Sequence, residues 1–324
     1  MVELAELTRR GQRSGAPPAP DAPAPKGPGT SRQAARLKAA AVSLAMIGPA
    51  VVLYTVLTVV PVGVAVYLSL TNWNGFSSAD FIGLDNYRHL FDDPNSTQSW
   101  YVTALIAAVG TVFEVGLGLA YALILKGRSR GNSFFRAVAY FPHVISALIL
   151  GYLWAAILGT NGAINNTLAK FGFGPVGFLF DEHMALMSLI GVIVWAGFGF
   201  NVVLFVAALQ TVPAELLEAA AIDGANRRQT NLRVVVPMIA PVVTIATVLN
   251  LVGLIRAYDI VVSLTGGGPA GSTQTFSYLI LARSFEGTKV GYATAQAVFL
   301  MVVSAVLALV VTALRNRQDQ AATG

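Results

Sequence analysis

The stretch EAAAIDGANRRQTNLRVVVP, residues 218–237, lies between two long apolar runs in a chain whose residues are only 11% charged. It holds five charged side chains beside a cluster of alanines. Alanine is a strong helix former, and Gly224 can take the positive φ at which helices commonly end. Upstream, Pro213 suits the first turn of a helix, where its missing N–H costs nothing. The sequence therefore predicts an elbow over residues 211–237, made of two helices with a bend at Gly224.

The two helices of the elbow have different characters. On the first helix, one side carries Leu217, Ala220 and Ala221. Another side carries Leu216, Ala219 and Asp223. Its alanines give a small, smooth surface that another object can approach closely, which favours docking into a groove of a partner protein. An amphipathic connector resting on lipid headgroups is the alternative. The second helix, predicted over about residues 226–236, carries the basic residues.

Outside the elbow, the 324-residue chain is 55% hydrophobic, and long apolar runs account for its low charge. About 20 apolar residues span a bilayer as an α-helix. Six runs approach or exceed that length, at residues 39–71, 101–125, 137–159, 184–210, 234–255 and 290–314. The sequence predicts an all-α integral membrane protein with six transmembrane helices in the lipid bilayer.

Lysine and arginine residues are distributed unevenly between these runs. Sixteen of the 21 lie before the first run, between the second and third, between the fourth and fifth, or after the sixth. Cytoplasmic loops of membrane proteins carry an excess of such residues. Both termini and the elbow are therefore expected in the cytoplasm. The net charge of +5 then reflects topology, and no nucleic-acid partner is predicted.

The chain is expected to have two parts. Residues 1–36 are rich in proline, alanine and small polar residues, which bury too little apolar area to order a chain, so they predict a disordered cytoplasmic tail. Residues 37–317 form the predicted transmembrane domain, with the elbow at 211–237.

The sequence offers few candidates for catalysis or for binding a metal or cofactor. There is no cysteine, no phosphate-binding G-x-x-x-x-G-K-[ST] motif, and no metal-ligand spacing among the three histidines. We therefore predict no catalytic residue, metal or cofactor, and no enzyme activity. Glu114, in the middle of the second run, is the deepest acidic residue. It is either a functional group or a polar contact between helices.

Three motifs resemble one family. E-A-A-A-I-D-G-A, followed by a basic stretch and V-V-P, resembles the EAA loop of permease subunits in binding-protein-dependent ABC importers. L-T-G-G-G-P at 264–269 and F-I-G-L-D-N-Y at 81–87 resemble stretches of the carbohydrate permeases in the maltose and glycerol-3-phosphate group. The resemblance covers about residues 40–317. It implies the type I importer permease (MetI-like) fold in a bacterial inner or plasma membrane.

The resemblance also implies partners and residue roles. The elbow becomes a coupling helix in a cleft of a cytoplasmic ABC ATPase dimer that binds the ATP. A second permease subunit and an extracytoplasmic solute-binding protein complete the importer. Glu218 would contact the ATPase, Gly224 would make the turn, and the other residues would shape or close the docked segment. The ATPase-coupling residues are thus Leu216, Glu218, Ala219, Ala220, Ile222, Asp223, Gly224 and Pro237.

A substrate pathway is expected near the bilayer midplane, where transporters bind their substrates. Sugars stack on aromatic faces and form hydrogen bonds through their hydroxyl groups. The fourth and fifth runs, which flank the elbow, carry suitable residues: Trp195, Phe200, Asn201, Asn250 and Tyr258. An interfacial belt of aromatic residues is the alternative reading of the tryptophan and tyrosine. Gly197 and Gly199 are expected to permit close helix contact.

The outer loop after the fifth run contains Gly266, Gly267, Gly268 and Pro269, which must form a turn. The loop either gates or receives a partner, or simply connects two helices. We predict a permease subunit for a sugar, most readily an oligosaccharide. Arg256 favours an anionic alternative such as glycerol-3-phosphate or a phosphodiester, unless it is an interfacial anchor paired with Asp259. A proton-coupled secondary transporter is the alternative from another class.

Overall fold

The computed structural model describes residues 29–76, 78–127, 129–286 and 289–323. Within these ranges the regular structure is helical, and the β pairing is limited to an isolated antiparallel bridge between Thr71 and Phe81. The predicted all-α class is confirmed. The chain divides into two units, residues 1–60 and 61–324.

Fifteen α-helices and two π-helical turns are seen in the described residues. The α-helices are α1 (Gly29–Tyr54), α2 (Val60–Leu68), α3 (Asp85–Asp92), α4 (Pro94–Ile124), α5 (Arg130–Val144), α6 (Ala147–Leu158), α7 (Ala163–Lys170), α8 (Glu182–Leu209), α9 (Ala214–Ile222), α10 (Arg227–Thr230), α11 (Val236–Met238), α12 (Ala240–Ile255), α13 (Asp259–Leu264), α14 (Phe276–Glu286) and α15 (Val290–Thr323). The π-helical turns are Thr55–Val59 and Asn231–Val235.

Five helical stretches among these are long and apolar enough to cross a membrane. They are Ala45–Leu68, Pro94–Ile124, Ala147–Lys170, Glu182–Leu209 and Val290–Arg315. A sixth is obtained when Arg227–Met238 and Ala240–Ile255, which meet at 69°, are taken as one bent span. The six predicted spans agree with this set when the bent pair counts as one.

The bend in the fifth span lies at Ile239, between two prolines. Pro237 and Pro241 have no N–H to donate to the helix ladder, and the proline ring crowds the preceding turn. The helix breaks between them, so the elbow meets the fifth span at an angle.

The third run differs from its prediction as a single helix. It is divided between α5 and α6, with Ile145 and Ser146 in extended conformation. Pro142 lies in the last turn of α5 and removes a ladder hydrogen bond there, which explains why the helix ends.

The predicted tail also differs in extent. α1 begins at Gly29, so residues 29–36 are helical rather than part of a disordered tail. Residues 1–28, which the prediction also covers, lie outside the described residues.

The centre of the second unit is built from α4, α8 and α12, with α5 against α8. Phe205, Val202 and Ala246 are fully buried in this core. Glycine allows the backbones to approach: a Cβ at Gly118 would overlap Asn201 on α8. Small residues at crossing points are how helices pack closely inside a bilayer.

The segment F-I-G-L-D-N-Y forms hydrogen bonds with the residues that follow the first span. Asn86 is buried, and its Nδ2 donates to the carbonyl oxygens of Ser69 at 2.9 Å and Thr71 at 2.8 Å. Tyr87 adds a hydroxyl–hydroxyl contact with Ser69 at 2.8 Å. The motif therefore fixes the chain where it leaves the bilayer.

Replacing Asn86 with alanine is expected to lower the stability of the fold. The change removes the donor to two carbonyl groups in a buried site, and an unsatisfied buried polar group costs about 1–3 kcal/mol. One kcal/mol shifts Tm by about 2–4 °C in a domain of 150–250 residues. Scanning fluorimetry in detergent at one fixed heating rate measures the shift. Asn166→Ala, which removes an exposed amide from α7, is the control, and an equal Tm in both variants would contradict the role of Asn86.

Candidate functional site

A cavity of about 560 Å³ opens among α4, α5, α8, α12 and the turn into α13. It is within the size range of small-ligand sites in proteins. Its walls are mostly apolar, and a few polar and aromatic side chains converge on it. These side chains include Glu114, His143, Phe200, Asn250, Arg256 and Tyr258. Three of them belong to the predicted substrate pathway: Phe200, Asn250 and Tyr258.

One wall of the cavity is aromatic. The rings of Phe200 on α8 and His143 on α5 stack, with centroids 5.2 Å apart and planes 29° from parallel. The ring of Tyr140 is also near the imidazole, with centroids 5.6 Å apart. The sequence interpretation considered His143 only as a metal ligand. In the sequence, His143 directly follows Pro142, near which α5 ends. This neighbouring proline is the sequence feature that could have indicated a place at an opening between helices.

Asn250, a polar residue in the cavity lining, is oriented by a second asparagine. Asn250 Nδ2 donates to Asn201 Oδ1 at 2.8 Å. Asn201 is fully buried, and its own amide contacts the carbonyl oxygen of Gly197 at 3.5 Å. Asn201 does not line this cavity but orients Asn250, which does, so its own assignment to the pathway stays a prediction.

Trp195 also lies away from the cavity. It packs edge-on against Trp154, with ring centroids 5.3 Å apart, and is 38% exposed on the outside of the helix bundle. It lies more than a turn of α8 from Phe200, on a different face. Trp195 is absent from the lining of this cavity, so its assignment to the pathway stays a prediction.

The mouth of the cavity is formed where α12 ends. Arg256, Tyr258 and Asp259 lie at this break in the helix, and the ring of Tyr258 faces that of Tyr278 at 6.4 Å. Arg256 and Asp259 are exposed, and in the described residues they form no ion pair with each other. Both charges are therefore available at the opening.

Glu114 is the most buried polar group in the wall, at 4% exposure. It lies on α4 about 15 Å from the end of that helix, by the helical rise per residue. Gly197 on α8 faces its carboxyl group. Groups of three or more side chains able to hold a metal ion do not occur in the described parts of the chain.

The elbow has the predicted bend. α9 starts after Pro213 and ends at Ile222. Gly224 has a φ of 75°, and the amides of Gly224 and Ala225 donate to the carbonyl oxygens of Ala221 and Ala220 at 3.1 and 3.0 Å. This paired arrangement is the Schellman motif, which requires a residue of positive φ. The conformational role predicted for Gly224 is confirmed.

The second half of the elbow begins with a capping box that the sequence interpretation missed. Asn226 Oδ1 accepts from the amide of Gln229 at 2.9 Å, and Gln229 Oε1 accepts from the amide of Asn226 at 2.9 Å. The spacing N-x-x-Q is the sequence signal. Lys126, just beyond α4, donates to Asn231 at 3.4 Å, so the elbow also touches the end of the helix that bears Glu114.

Most of the predicted coupling residues are exposed. The side chain of Ile222 is 86% exposed and that of Leu216 44%, although both are large and apolar. The exposed set is Leu216, Glu218, Ala219, Ile222, Asp223, Gly224 and Pro237. Ala220 is the exception: it is buried against the body of the elbow, so it cannot be part of an exposed docking face.

The outer loop is a turn, as predicted. Gly266 and Gly267 have φ values of 59° and 80°, which favour glycine. The ring of Tyr278 lies against Gly267, and Thr273 Oγ1 donates to the carbonyl oxygen of Gly268 at 2.7 Å. The loop of Gly266–Pro269 is thus folded onto the chain, while a role in gating stays a prediction.

The chain is similar in sequence to a family of transport proteins and to several of its members. Residues 114–321 match the family model described as "Binding-protein-dependent transport system inner membrane component". The chain is 35% identical over 283 residues to the diacetylchitobiose uptake system permease protein NgcF of Streptomyces coelicolor, covering 83% of this chain and 80% of that protein. It is 30% identical over 268 residues to the sn-glycerol-3-phosphate transport system permease protein UgpA of Escherichia coli, covering 82% and 90%.

Among solved structures, the chain is similar to one from a bacterial ABC transporter involved in the import of the acidic polysaccharide alginate. The TM-score is 0.77, the sequences are 24% identical, and the match covers 88% of this chain and 99% of that one. At this identity the similarity concerns the fold.

Proposed function

Because the chain belongs to the family of binding-protein-dependent transport system inner membrane components, we propose that it conducts an oligosaccharide through the cavity lined by Phe200, His143 and Asn250. The chain is a permease subunit of an ABC importer and has the all-α membrane fold predicted for that class. The resemblance seen in its motifs is confirmed. A proton-coupled secondary transporter is set aside on the same ground.

The observation that carries the sugar proposal is the pairing of a ring stack with an oriented amide in one cavity. A pyranose ring presents C–H groups on its face and hydroxyl groups around its edge, so it needs an aromatic surface and nearby hydrogen-bonding groups. Phe200, backed by His143, supplies the surface. Asn250, fixed by Asn201, supplies the amide. The volume of about 560 Å³ suits one or two sugar units at a time.

The proposed mechanism links this cavity to the elbow. A cytoplasmic ATPase dimer would hold α9 in a cleft and move it as ATP is bound and released. α8 runs from the elbow to the cavity, since Phe200 is nine residues, or about 14 Å, from Leu209. α12 runs back from the elbow to Asn250. A displacement of the elbow would thus reach both cavity walls through rigid helices.

The remaining partners follow from the same proposal. An extracytoplasmic solute-binding protein would release sugar at the mouth near Tyr258 and the Gly266–Pro269 loop. A second permease subunit would complete the pathway, since the cavity is open on one side and Leu249 on α12 is 52% exposed beside it. In this arrangement both termini lie in the cytoplasm, as the lysine and arginine distribution indicates.

Glycerol-3-phosphate, or a related phosphodiester, is the second candidate substrate. Arg256 lies in the cavity lining, and UgpA is named for sn-glycerol-3-phosphate transport. The lining also contains the exposed carboxylate of Asp259, whose negative charge disfavours an anion near Arg256. Uptake of radiolabelled glycerol-3-phosphate and of neutral disaccharides by the reconstituted importer separates the two candidates.

Replacing Phe200 with alanine is expected to reduce sugar uptake about two- to tenfold. The change removes the stacking surface, and aromatic contacts beyond area burial are worth about 0.5–1.5 kcal/mol. Uptake of radiolabelled N,N′-diacetylchitobiose, cellobiose, maltose and maltotriose is measured in proteoliposomes with the ATPase, second permease and binding protein. Phe198→Ala on the same helix is the matched control, because Phe198 packs against Tyr121 and not in the cavity. Equal uptake by the Phe200 variant and wild type would contradict the assignment.

A further inference from the structure

We propose that the carboxyl group of Glu114 determines sugar specificity by exchanging hydrogen bonds with hydroxyl groups of the transported sugar, and that Gly197 is glycine because this carboxyl group occupies the space beside it. The inference rests on the proposed function and adds a residue to the same site. It decides between the two roles that the sequence left open for Glu114, a functional group and a contact between helices.

The first observation is that the carboxyl group has no hydrogen-bond or ion-pair partner among the described residues. Glu114 is 4% exposed. Within the parts of the chain that the structure describes, its oxygens take part in no hydrogen bond and no ion pair. Buried polar groups in native proteins are almost always satisfied, and one that is not needs an explanation. A carboxyl group that only joined two helices would be bonded across their interface.

The second observation is where the group points. Glu114 belongs to the lining of the cavity that also contains Phe200 and Asn250. The three residues come from α4, α8 and α12, so they approach one space from different helices. A ligand in this cavity is therefore the available partner for the carboxyl group. A hydroxyl group is well matched, because it can donate to one carboxyl oxygen while it accepts elsewhere.

The third observation is the space at Gly197. A methyl group built there would overlap the carboxyl group of Glu114, with its carbon 2.5 Å from Cδ. A real Cβ never approaches so closely, so any side chain at 197 would displace the carboxyl group. Since α4 and α8 are otherwise held by close packing, the vacant volume at this glycine fixes where the carboxyl group lies.

The chemistry predicts which sugars are accepted. The amide of Asn250 already donates to Asn201, which limits what it offers to a substrate. Glu114 would provide two further oxygens, spaced to meet adjacent hydroxyl groups of a pyranose. A site built to bond a hydroxyl group strongly rejects an analogue that lacks it, because its buried polar group is then left without a partner. Deoxy sugars that lack the bonded hydroxyl group should therefore be poor substrates.

The test replaces Glu114 with methionine, which has similar length and no hydrogen-bonding capacity of note. Uptake of the preferred sugar among N,N′-diacetylchitobiose, cellobiose, maltose and maltotriose is expected to fall at least about tenfold, which corresponds to about 1.4 kcal/mol. Tm is expected to stay the same or rise, because an apolar side chain replaces an unpaired buried polar group. Glu114→Gln, which keeps an acceptor and a donor, should recover part of the uptake.

Two further variants make the test specific. Thr111→Val removes another buried hydroxyl group one turn away on α4, outside the cavity lining, and is expected to leave uptake unchanged. Gly197→Ala should reduce uptake by displacing the carboxyl group. Combined with Glu114→Met, it should add no further loss, because the two changes remove the same interaction.

Each outcome has one meaning. Reduced uptake by Glu114→Met, at an unchanged or higher Tm and with unchanged assembly with the ATPase, supports the inference. Wild-type uptake by that variant overturns it. Parallel losses of uptake, Tm and assembly also overturn it, since they indicate a structural contact. A wild-type complex that takes up no sugar of the panel overturns the proposed function, and this inference with it.

Discussion

Reversing the charge of Glu218 by substitution with lysine is expected to abolish ATP-driven sugar uptake while the chain still folds and inserts. Glu218 is exposed on α9 and forms no ion pair among the described residues, so the change costs the isolated chain little. In the proposed complex the same carboxylate faces a basic group of the ATPase. Truncating one partner of a buried charge pair at an interface costs about 2–5 kcal/mol, and juxtaposed like charges add to that.

The measurement has two parts. Affinity purification of the tagged chain shows how much ATPase remains bound, and we expect a loss of more than about a hundredfold in affinity. Proteoliposome uptake should fall to background in parallel. Glu182→Lys is the matched control, because Glu182 is likewise an exposed helical glutamate but lies at the end of α8 remote from the elbow. Normal uptake by the Glu218 variant would end the coupling-helix proposal.

The elbow was predictable because its determinants are local. Pro213, the alanine run and Gly224 act through backbone preferences within a few residues, and those preferences hold in any surroundings. Which alanines of the run are exposed and which are buried was not predictable. Ala220 turns inward while its neighbour Ala219 stays exposed, and the packing of the whole elbow decides which alanine of a run is covered.

The cavity was predictable only in part, for a related reason. The stretch W-A-G-F-G-F-N led to α8 as a helix that lines the cavity, but it did not indicate which face of the helix is turned inward. In an apolar helix all faces have similar hydrophobicity, so periodicity gives no direction. Phe200 therefore lines the cavity, whereas Trp195 packs outside and Asn201 lies behind Asn250.

The interruptions of the membrane-spanning helices were also not predictable from the sequence. The runs over 137–159 and 234–255 are continuous in hydropathy, yet each helix is interrupted near a proline. Proline is tolerated inside membrane helices where neighbours satisfy the freed groups, so its presence alone does not determine whether a helix continues. The interruption of the third run places His143 at the end of α5, in the lining of the cavity.

Replacing Gly199 with valine is expected to prevent the helix bundle from forming. Gly199 on α8 lies directly against the backbone of Ala139 and Tyr140 on α5. A Cβ there would overlap the carbonyl group of Ala139 and lie 2.9 Å from the Cα of Tyr140. Backbone atoms cannot rotate away as a side chain can, so the two helices must separate.

Overpacking typically costs about 1–3 kcal/mol and more where the neighbours cannot move, a large share of a total stability of about 5–15 kcal/mol. We therefore expect Gly199→Val to lose most of its monodisperse protein on size-exclusion chromatography in detergent, and Gly199→Ala to show a smaller loss with a lower Tm. Gly191→Val is the matched control: it lies on the same helix, and a Cβ at Gly191 meets no atom within 4 Å. Because valine costs both positions the same helix propensity, the difference between them measures the contact between α5 and α8 alone. That contact also holds Phe200 against His143, so a Gly199→Val protein as stable as Gly191→Val would remove the structural basis for the aromatic wall.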